Sequence, residues 1–568
     1  VKWRWVLCAL ILFAANTSAD AAPEIILRGG VVYDGTGTPG RQADVAISGD
    51  RILSIGKIAA GRSTKIIDAR GMAVAPGFIN MLSWSTESLL IDGRSQSDIR
   101  QGVTLELLGE GTTMGPLSPE MKAEVQARLH KLGVENADWN TLGEYLALLE
   151  RRGVSTNVAS FIGATTVRLN VLGPEGRAAS DDEVARMASL VTGAMREGAF
   201  GISSALEYTP GDSADTAELI ALARAAAPFG GLYISHIRNE DEHLVDAVGE
   251  VIDIARSAGV PAEIYHFKVK SAHGLNRLDR AIDLIETARR EGLAITADVY
   301  PYTASATGFD VAMPSWVQDG GVEKWVERLK DPAIRQQVAA EMRHPKGGGT
   351  GRLEAAGSLD NILILGGETP EVKALSGMTL GQIARARGTS PEDTVMDMVI
   401  ADQSRLYVAY FIIPEEGVRR VIARPWVSVG SDAASMTAEG AILKQREHPR
   451  AYGAFARILG HYTREEPILS LAEAVHKMSG LPAANLGLTD RGLIRPGYFA
   501  DIVVFDPKRI ADQSTFEHPH QYTTGVRDVF VNGVAVLAKG QHTGAMPGRA
   551  VLKRQPGGPD MKSAPARP

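Results

Sequence analysis

Cysteine is nearly missing from this chain: Cys8 is the only one in 568 residues. It lies in the N-terminal segment "VKWRWVLCALILFAANTSADAAPE", where Lys2 and Arg4 precede an apolar run from Val6 to Ala15 and small residues follow. That pattern predicts a secretory signal peptide over 1–22 and a periplasmic or secreted protein. A membrane anchor is the weaker reading, because ten apolar residues fall short of the ~20 needed to cross a bilayer. After cleavage no cysteine remains, which excludes disulfides and thiolate metal ligands and leaves no membrane partner. A basic excess is also lacking. With 60 Lys and Arg against 67 Asp and Glu, the net charge of -7 excludes nucleic acid as a partner. No short repeat period is present.

What is there is a large apolar budget, 44% hydrophobic against 22% charged residues, enough for more than one domain. From 23 to 72 the text alternates and turns on Gly and Asp, as in "EIILRGGVVYDGTG" and "ADVAISGDRILSIG". The same texture returns over 483–553, in "GLIRPGYFADIVVFDP" and "VRDVFVNGVAVLAKG", so both ends are expected to build one β-domain. Between them, over 73–482, eight strand-like runs alternate with amphipathic stretches such as "DEVARMASLVTGAMREG". The runs are "AVAPGFINM", "VTLELLGEG", "STNVASFIGA", "FGISSAL", "GLYISHIR", "AEIYHFKV", "AITADVYPY" and "WVSVGSDA". This is the pattern of an α/β chain folded as a (β/α)8 barrel. The span exceeds the ~250 residues usual for that fold, which points to an inserted lid at about 309–394 with a mobile loop in "HPKGGGTG". The tail, 554–568, reads as disordered.

Reactive groups of such barrels sit at the carboxyl ends of the strands. His236 closes "LYISHIR", His266 closes "AEIYHFKV" and Asp432 closes "WVSVGSDA". A lone histidine on an apolar strand is more often a core residue. Two on neighbouring strand ends, with an aspartate where the barrel closes, weigh toward a site.

The ordered set "GGVVYDGTGTPG", "PGFIN", "QGVT", "SHIRNE", "HFKV", "DVYPYTA", "GSDA", "HPRAYGAFARILG", "LAEAVHKMSGLPAANLGLTDRGLIRPGYFADIVVFDP" and "VNG" spans about 25 to 550. It resembles the N-acyl-D-amino-acid deacylase (D-aminoacylase) branch of the amidohydrolase superfamily. The resemblance implies a barrel joined to a β-sandwich made from both chain ends, and hydrolysis of an amide by metal-activated water. It also exposes two departures. Relatives carry "PGFID-x-H-x-H" and "GNCG"; here Leu82 and Trp84 stand at the histidine positions and Gly111 at the cysteine, in "GEGT".

Leucine offers no lone pair and indole only donates, so the resemblance leaves at most one divalent metal, zinc first. Glu110, next to the cysteine position, would complete a Glu–His–His set with His236 and His266, which suits catalytic zinc. Gly109 and Gly111 permit the unusual dihedrals that would aim it inward. Glu106 is the second candidate, four residues earlier, and the bland alternative pairs Glu110 with a cation in the barrel mouth. A bridging carbamylated lysine is set aside, since no lysine occurs between Lys131 and Lys268. The fourth strand end reads "ISSALEYTP" instead.

Asp432 is similar to the superfamily's catalytic aspartate, a carboxylate that moves a proton from water to the leaving amine; its alternative is a turn cap. For the carboxylate of an N-acyl amino acid, the resemblance places Lys268 and Tyr300 at the substrate, with Arg450 a further candidate. The alternatives are a Lys268 snorkelling at the rim and an Arg450 in a surface loop. Trp84 is expected to narrow the pocket near the metal. The expected function is hydrolysis of N-acyl-D-amino acids or related D-configured dipeptide-like compounds, the D-configuration coming from the resemblance alone. Another amide, lactam or cyclic imide, and a barrel that only binds its ligand, are the alternatives. An oligomer is compatible with the sequence.

Overall fold

The computed structural model describes residues 23–135, 137–346, 351–440, 443 and 445–554. The predicted signal segment, most of the tail and the centre of "HPKGGGTG" lie outside the described residues.

The chain ends meet in one nine-stranded sheet. Ile502–Phe505 from the C-terminal part pairs antiparallel with Ala73–Pro76, which pairs parallel with Ile25–Val32. Alternating apolar residues from both ends, Leu27, Val45, Ile47, Val74, Ile502, Val504 and Phe530, close a separate core there. Alternation along each strand explains why this face is apolar. This is the β-sandwich domain expected from the two ends. The run "AVAPGFINM" divides between the two domains, because Ala73–Pro76 belongs to this sheet and only Phe78–Ser83 to the barrel. The barrel therefore begins at Phe78 and not at 73. The hinge is Gly77, where a Cβ would fall 2.2 Å from Thr104 Oγ1.

The barrel has eight parallel strands in two arcs. Phe78–Ser83, Val103–Leu108 and Asn157–Ser160 form one arc. Ile162–Gly163 continues the third strand into the other arc, with Gly201–Ala205, Leu232–His236, Ala262–Ile264, Ile295–Val299 and Val427–Val429. A parallel bridge between Ser83 and Ala433 closes the ring. Inside it pack Ile79, Met81, Leu82, Leu105, Leu107, Ala159, Phe161, Phe200, Ile234 and Tyr265, the layered filling of a packed barrel. The outer helix Asp181–Arg196 starts at a reciprocal capping box made by Ser180 and Glu183.

An insertion separates the seventh and eighth strands. Its strands Ser305–Thr307, Tyr407–Tyr410 and Ile362–Gly366 make a small antiparallel sheet, with helices such as Pro332–Arg343 and Pro391–Asp402 between them. It runs from 305 to 410, wider than 309–394, because its first and last strands pair with each other.

Candidate metal and catalytic site

The strand ends bring Glu110, His236 and His266 together. Glu110 Oε1 lies 2.9 Å from His236 Nδ1 and 3.0 Å from His266 Nε2, and those two nitrogens are 3.0 Å apart. The rings stand edge to face, 4.4 Å between centroids. Each residue reaches this point by a backbone device. Glu110 turns inward between Gly109 (φ 100°) and Gly111 (φ 66°), both in conformations that favour glycine. His266 holds φ 37°, fixed by its own N–H donating to Asp298 Oδ1 at 3.0 Å. Such strain in a non-glycine residue persists where the surroundings impose it.

Gly111, at the position of the relatives' cysteine, is closed to side chains: a Cβ there would meet Ala205 Cβ at 2.6 Å and Ala205 N at 2.8 Å. The carboxylate thus stands one residue earlier than the thiolate, in the space the turn leaves. Glu106 is not its rival. It lies on the strand face opposite Leu105 and Leu107, outside the barrel, where its oxygens accept from Ser83 Oγ at 2.8 Å and Thr156 Oγ1 at 2.7 Å. The turn at Gly109 breaks the strand alternation that would have given Glu106 and Glu110 one face.

The donor set fits a divalent metal. One carboxylate oxygen and two imidazole nitrogens converge with no lysine or arginine hydrogen-bonded to Glu110 among the described residues. Its partners are the two histidines, not a lysine or arginine. Tetrahedral zinc with bonds of about 2.0–2.2 Å separates ligand atoms by roughly 3.3–3.6 Å, so the trio needs to open by about half an ångström. Burial disfavours charge on both partners, yet the contacts win. Burial alone would raise Glu110, but His236 and His266 hold it below the usual carboxylate range. Burial alone would depress His236, but Glu240, Glu110 and Glu207 raise it to about 9. The three ligand atoms therefore form one tightly coupled, buried donor set, of the kind a divalent metal would bind with release of the histidine protons.

A ring of charge not anticipated from the sequence backs the trio. His236 Nε2 is 3.0 Å from Glu207 Oε2. Glu207 in turn meets Lys270 Nζ at 2.6 Å and Arg352 from the insertion. Glu240 binds both Lys270 (2.6 Å) and Lys268 (2.5 Å) and lies 3.0 Å from His266 Nδ1. Burial would raise both carboxyls; the lysines, with Arg352 at Glu207, hold them well below the ordinary range. Glu207 stood in "ISSALEYTP" and Glu240 in "SHIRNE", so the strand-end rule that found His236 could have found them. Arg352 carried no such signal.

Lys268 does not snorkel at the rim. It is buried, and its three donors are within reach of Glu240, the His266 carbonyl and His266 Nδ1. Arg450 is no surface-loop residue either, being only 3% exposed. Its Nη1 donates to Asp432 Oδ2 at 2.5 Å, and its guanidinium lies 4.7 Å over the Tyr300 ring. Asp432, at φ 51°, also accepts from Trp84 Nε1 at 3.0 Å. Trp84 therefore stands half-exposed at the mouth over Asp432, while Leu82 packs into the barrel interior. Two buried donors in this corner have no hydrogen-bond partner among the described residues, Tyr300 Oη and Arg450 Nε.

An eightfold barrel with two histidines, a carboxylate and a closing aspartate at its strand ends defines a metal-dependent hydrolase. The profile of the amidohydrolase family matches residues 65–537. The chain is 34% identical to the D-aminoacylase of Alcaligenes xylosoxydans xylosoxydans over 94% of its own length and 99% of that protein. Among solved structures, the N-acyl-D-glutamate deacylase of Bordetella bronchiseptica, complexed with zinc and a phosphonate mimic of the tetrahedral intermediate, matches with TM-score 0.78 and 30% identity. That match covers 94% of this chain and all of that one. A D-aminoacylase structure concerned with one-metal activation and second-metal attenuation of a binuclear centre matches with TM-score 0.75 and 33% identity, covering 94% and 100%. The protein belongs to the amidohydrolase family, in its N-acyl-D-amino-acid deacylase branch.

Proposed function

We propose that the protein hydrolyses the amide of N-acyl-D-amino acids, or of related D-configured dipeptide-like compounds, with one divalent metal held by Glu110, His236 and His266. The convergence of those three ligand atoms within about 3 Å is the observation that carries the reading. Zinc is the first candidate for the metal, because carboxylate and imidazole without thiolate suit catalytic zinc with an open position. When bound, the metal supplies Lewis acidity for the scissile carbonyl and acidifies water. Asp432, at the mouth, takes a proton from the attacking water and returns it to the leaving nitrogen. The free carboxylate of the substrate goes to Arg450 Nε and Tyr300 Oη, two buried donors of this corner without a partner among the described residues. Lys268, which donates to Glu240 and to the His266 carbonyl, sets the charge behind His266. The exported location predicted from 1–22 would place this activity in the periplasm or outside the cell.

The test is metal content together with a substrate panel. Purified protein loaded with zinc is expected to hold one equivalent, lost in Glu110→Gln, and to release acetate from N-acetyl-D- but not N-acetyl-L-amino acids. Protein that takes up no metal, or an activity retained in full by Glu110→Gln, overturns the proposal.

A further inference from the structure

Histidine binds a metal through one ring nitrogen only when the proton sits on the other, and a buried ring N–H must have an acceptor. His236 turns Nδ1 to Glu110 and Nε2 to Glu207 Oε2, at 2.9 and 3.0 Å. The opposite tautomer would set a bare Nε2 lone pair against carboxylate lone pairs at that distance. The ring is further fixed by Tyr208, which packs edge-on with centroids 5.0 Å apart.

We propose that Glu207 is a positioning residue for the metal site: its carboxylate selects the His236 tautomer that leaves Nδ1 free as a ligand, and Arg352 of the insertion holds that carboxylate in place. This rests on the metal reading given above. Nothing in the first ring of ligands requires Glu207; what requires it is the second nitrogen of His236. Its charge is matched by Lys270 Nζ at 2.6 Å and by Arg352, so it accepts from His236 without needing a proton of its own. Arg352 heads the short helix Arg352–Ala355 in the insertion, which makes the insertion part of the support of the site.

Glu207, His236 and Glu240 are also close enough to hold a cation among themselves. That position is already filled. Lys270 Nζ lies 2.6 Å from both Glu207 Oε2 and Glu240 Oε2, so the ammonium serves as its cation.

The test compares zinc affinity, by chelator competition, in the full-length protein and in Glu207→Met, Glu207→Gln and Glu110→Gln. Loss of the acceptor in Glu207→Met is expected to weaken zinc binding about 10- to 100-fold. Glu207→Gln, which keeps a carbonyl acceptor without the charge, should fall between it and the wild type. The visible bands of the cobalt-loaded protein should shift in Glu207→Met and return toward wild type in Glu207→Gln, a signature that a purely structural role would not give. If Glu207→Met does not fold, the Glu207→Gln affinity and spectrum decide alone. Wild-type zinc affinity and an unaltered cobalt spectrum in the Glu207 variants, with binding still lost in Glu110→Gln, would overturn the positioning role and leave the metal reading standing. Binding that survives Glu110→Gln but not Glu207→Met would move the metal to the Lys270 position and overturn both.

Discussion

Arg450→Met removes the guanidinium from Asp432 and leaves the carboxylate in a corner where only 8% of the residue is exposed. Two unit charges about 4 Å apart attract by about 4 kcal/mol at an effective dielectric of 20. Breaking a buried pair by deleting one partner costs about 3–5 kcal/mol, since the remaining charge is stranded. Asp432 keeps the Trp84 indole donor at 3.0 Å and an opening to the mouth, so the lower end applies, about 3 kcal/mol. The double variant Arg450→Met/Asp432→Asn removes the stranded charge as well and should recover most of the loss. The assay is calorimetric unfolding of the metal-free wild type, the two single variants and the double. A coupling near zero between positions 432 and 450 would refute the argument, because additive effects mean the pair does not interact as the geometry requires. Steady-state kinetics on the same proteins separates two roles of Arg450. A rise in KM with kcat unchanged marks lost substrate binding, while a fall in kcat marks a displaced Asp432.

Two further outcomes follow from buried groups. Tyr300→Phe deletes a hydroxyl that has no hydrogen-bond partner among the described residues, so thermal stability should not fall, while KM for the N-acyl amino acid rises about 10- to 100-fold, the worth of a hydrogen bond to a charged group. An unchanged KM with lowered stability would remove Tyr300 from the substrate site. Glu263, sealed among Thr296, Asn485 and Ser428, is pushed by burial from 4.5 to about 7. A carboxyl raised in the folded state contributes its stability fully below pH 4.5 and loses it as pH climbs through 7, about 3 kcal/mol in all. Melting curves of the wild type from pH 5 to 8 should therefore decline by more than those of Glu263→Gln, and parallel declines would show that another group is responsible.

The fold was legible because its signals are local. Eight runs with alternating helices announce a barrel, and each of the eight overlaps a barrel strand of the structure, from Phe78–Ser83 to Val427–Val429. What the runs could not mark was the domain boundary inside "AVAPGFINM", since Ala73–Pro76 and Phe78–Ser83 are equally apolar and part company only through their pairing partners. At the site, His236, His266 and Asp432 were readable from their strand ends. Glu110 stands next to the position of the relatives' cysteine, and the positive φ of Gly109 and Gly111 is what turns it into the barrel. The ion pairs were not readable. Arg450 and Asp432 are 18 residues apart, and Arg352 reaches Glu207 across 145. Charge pairing over such distances depends on tertiary packing, for Arg352 that of the insertion against the barrel, which no local pattern encodes.

The exchange of the first-strand histidines for Leu82 and Trp84 is best understood from the seam where the barrel closes. There the N–H of Asp432 donates to the Leu82 carbonyl and the N–H of Trp84 to the Ala433 carbonyl, so the first and last strands lock directly. The Asp432 carboxylate then has its two oxygens taken, one by the Trp84 indole and one by Arg450. A second dication at this seam would have to displace both donors and sit beside a guanidinium that cannot lose its proton, with no lone pair offered by Leu82 or Trp84. The charge that a second metal would bring to Asp432 is supplied here by protein groups. The seam thus offers a second ion neither a lone pair from Leu82 or Trp84 nor an unengaged Asp432 oxygen, and Trp84 and Arg450 instead fix the orientation of that carboxylate.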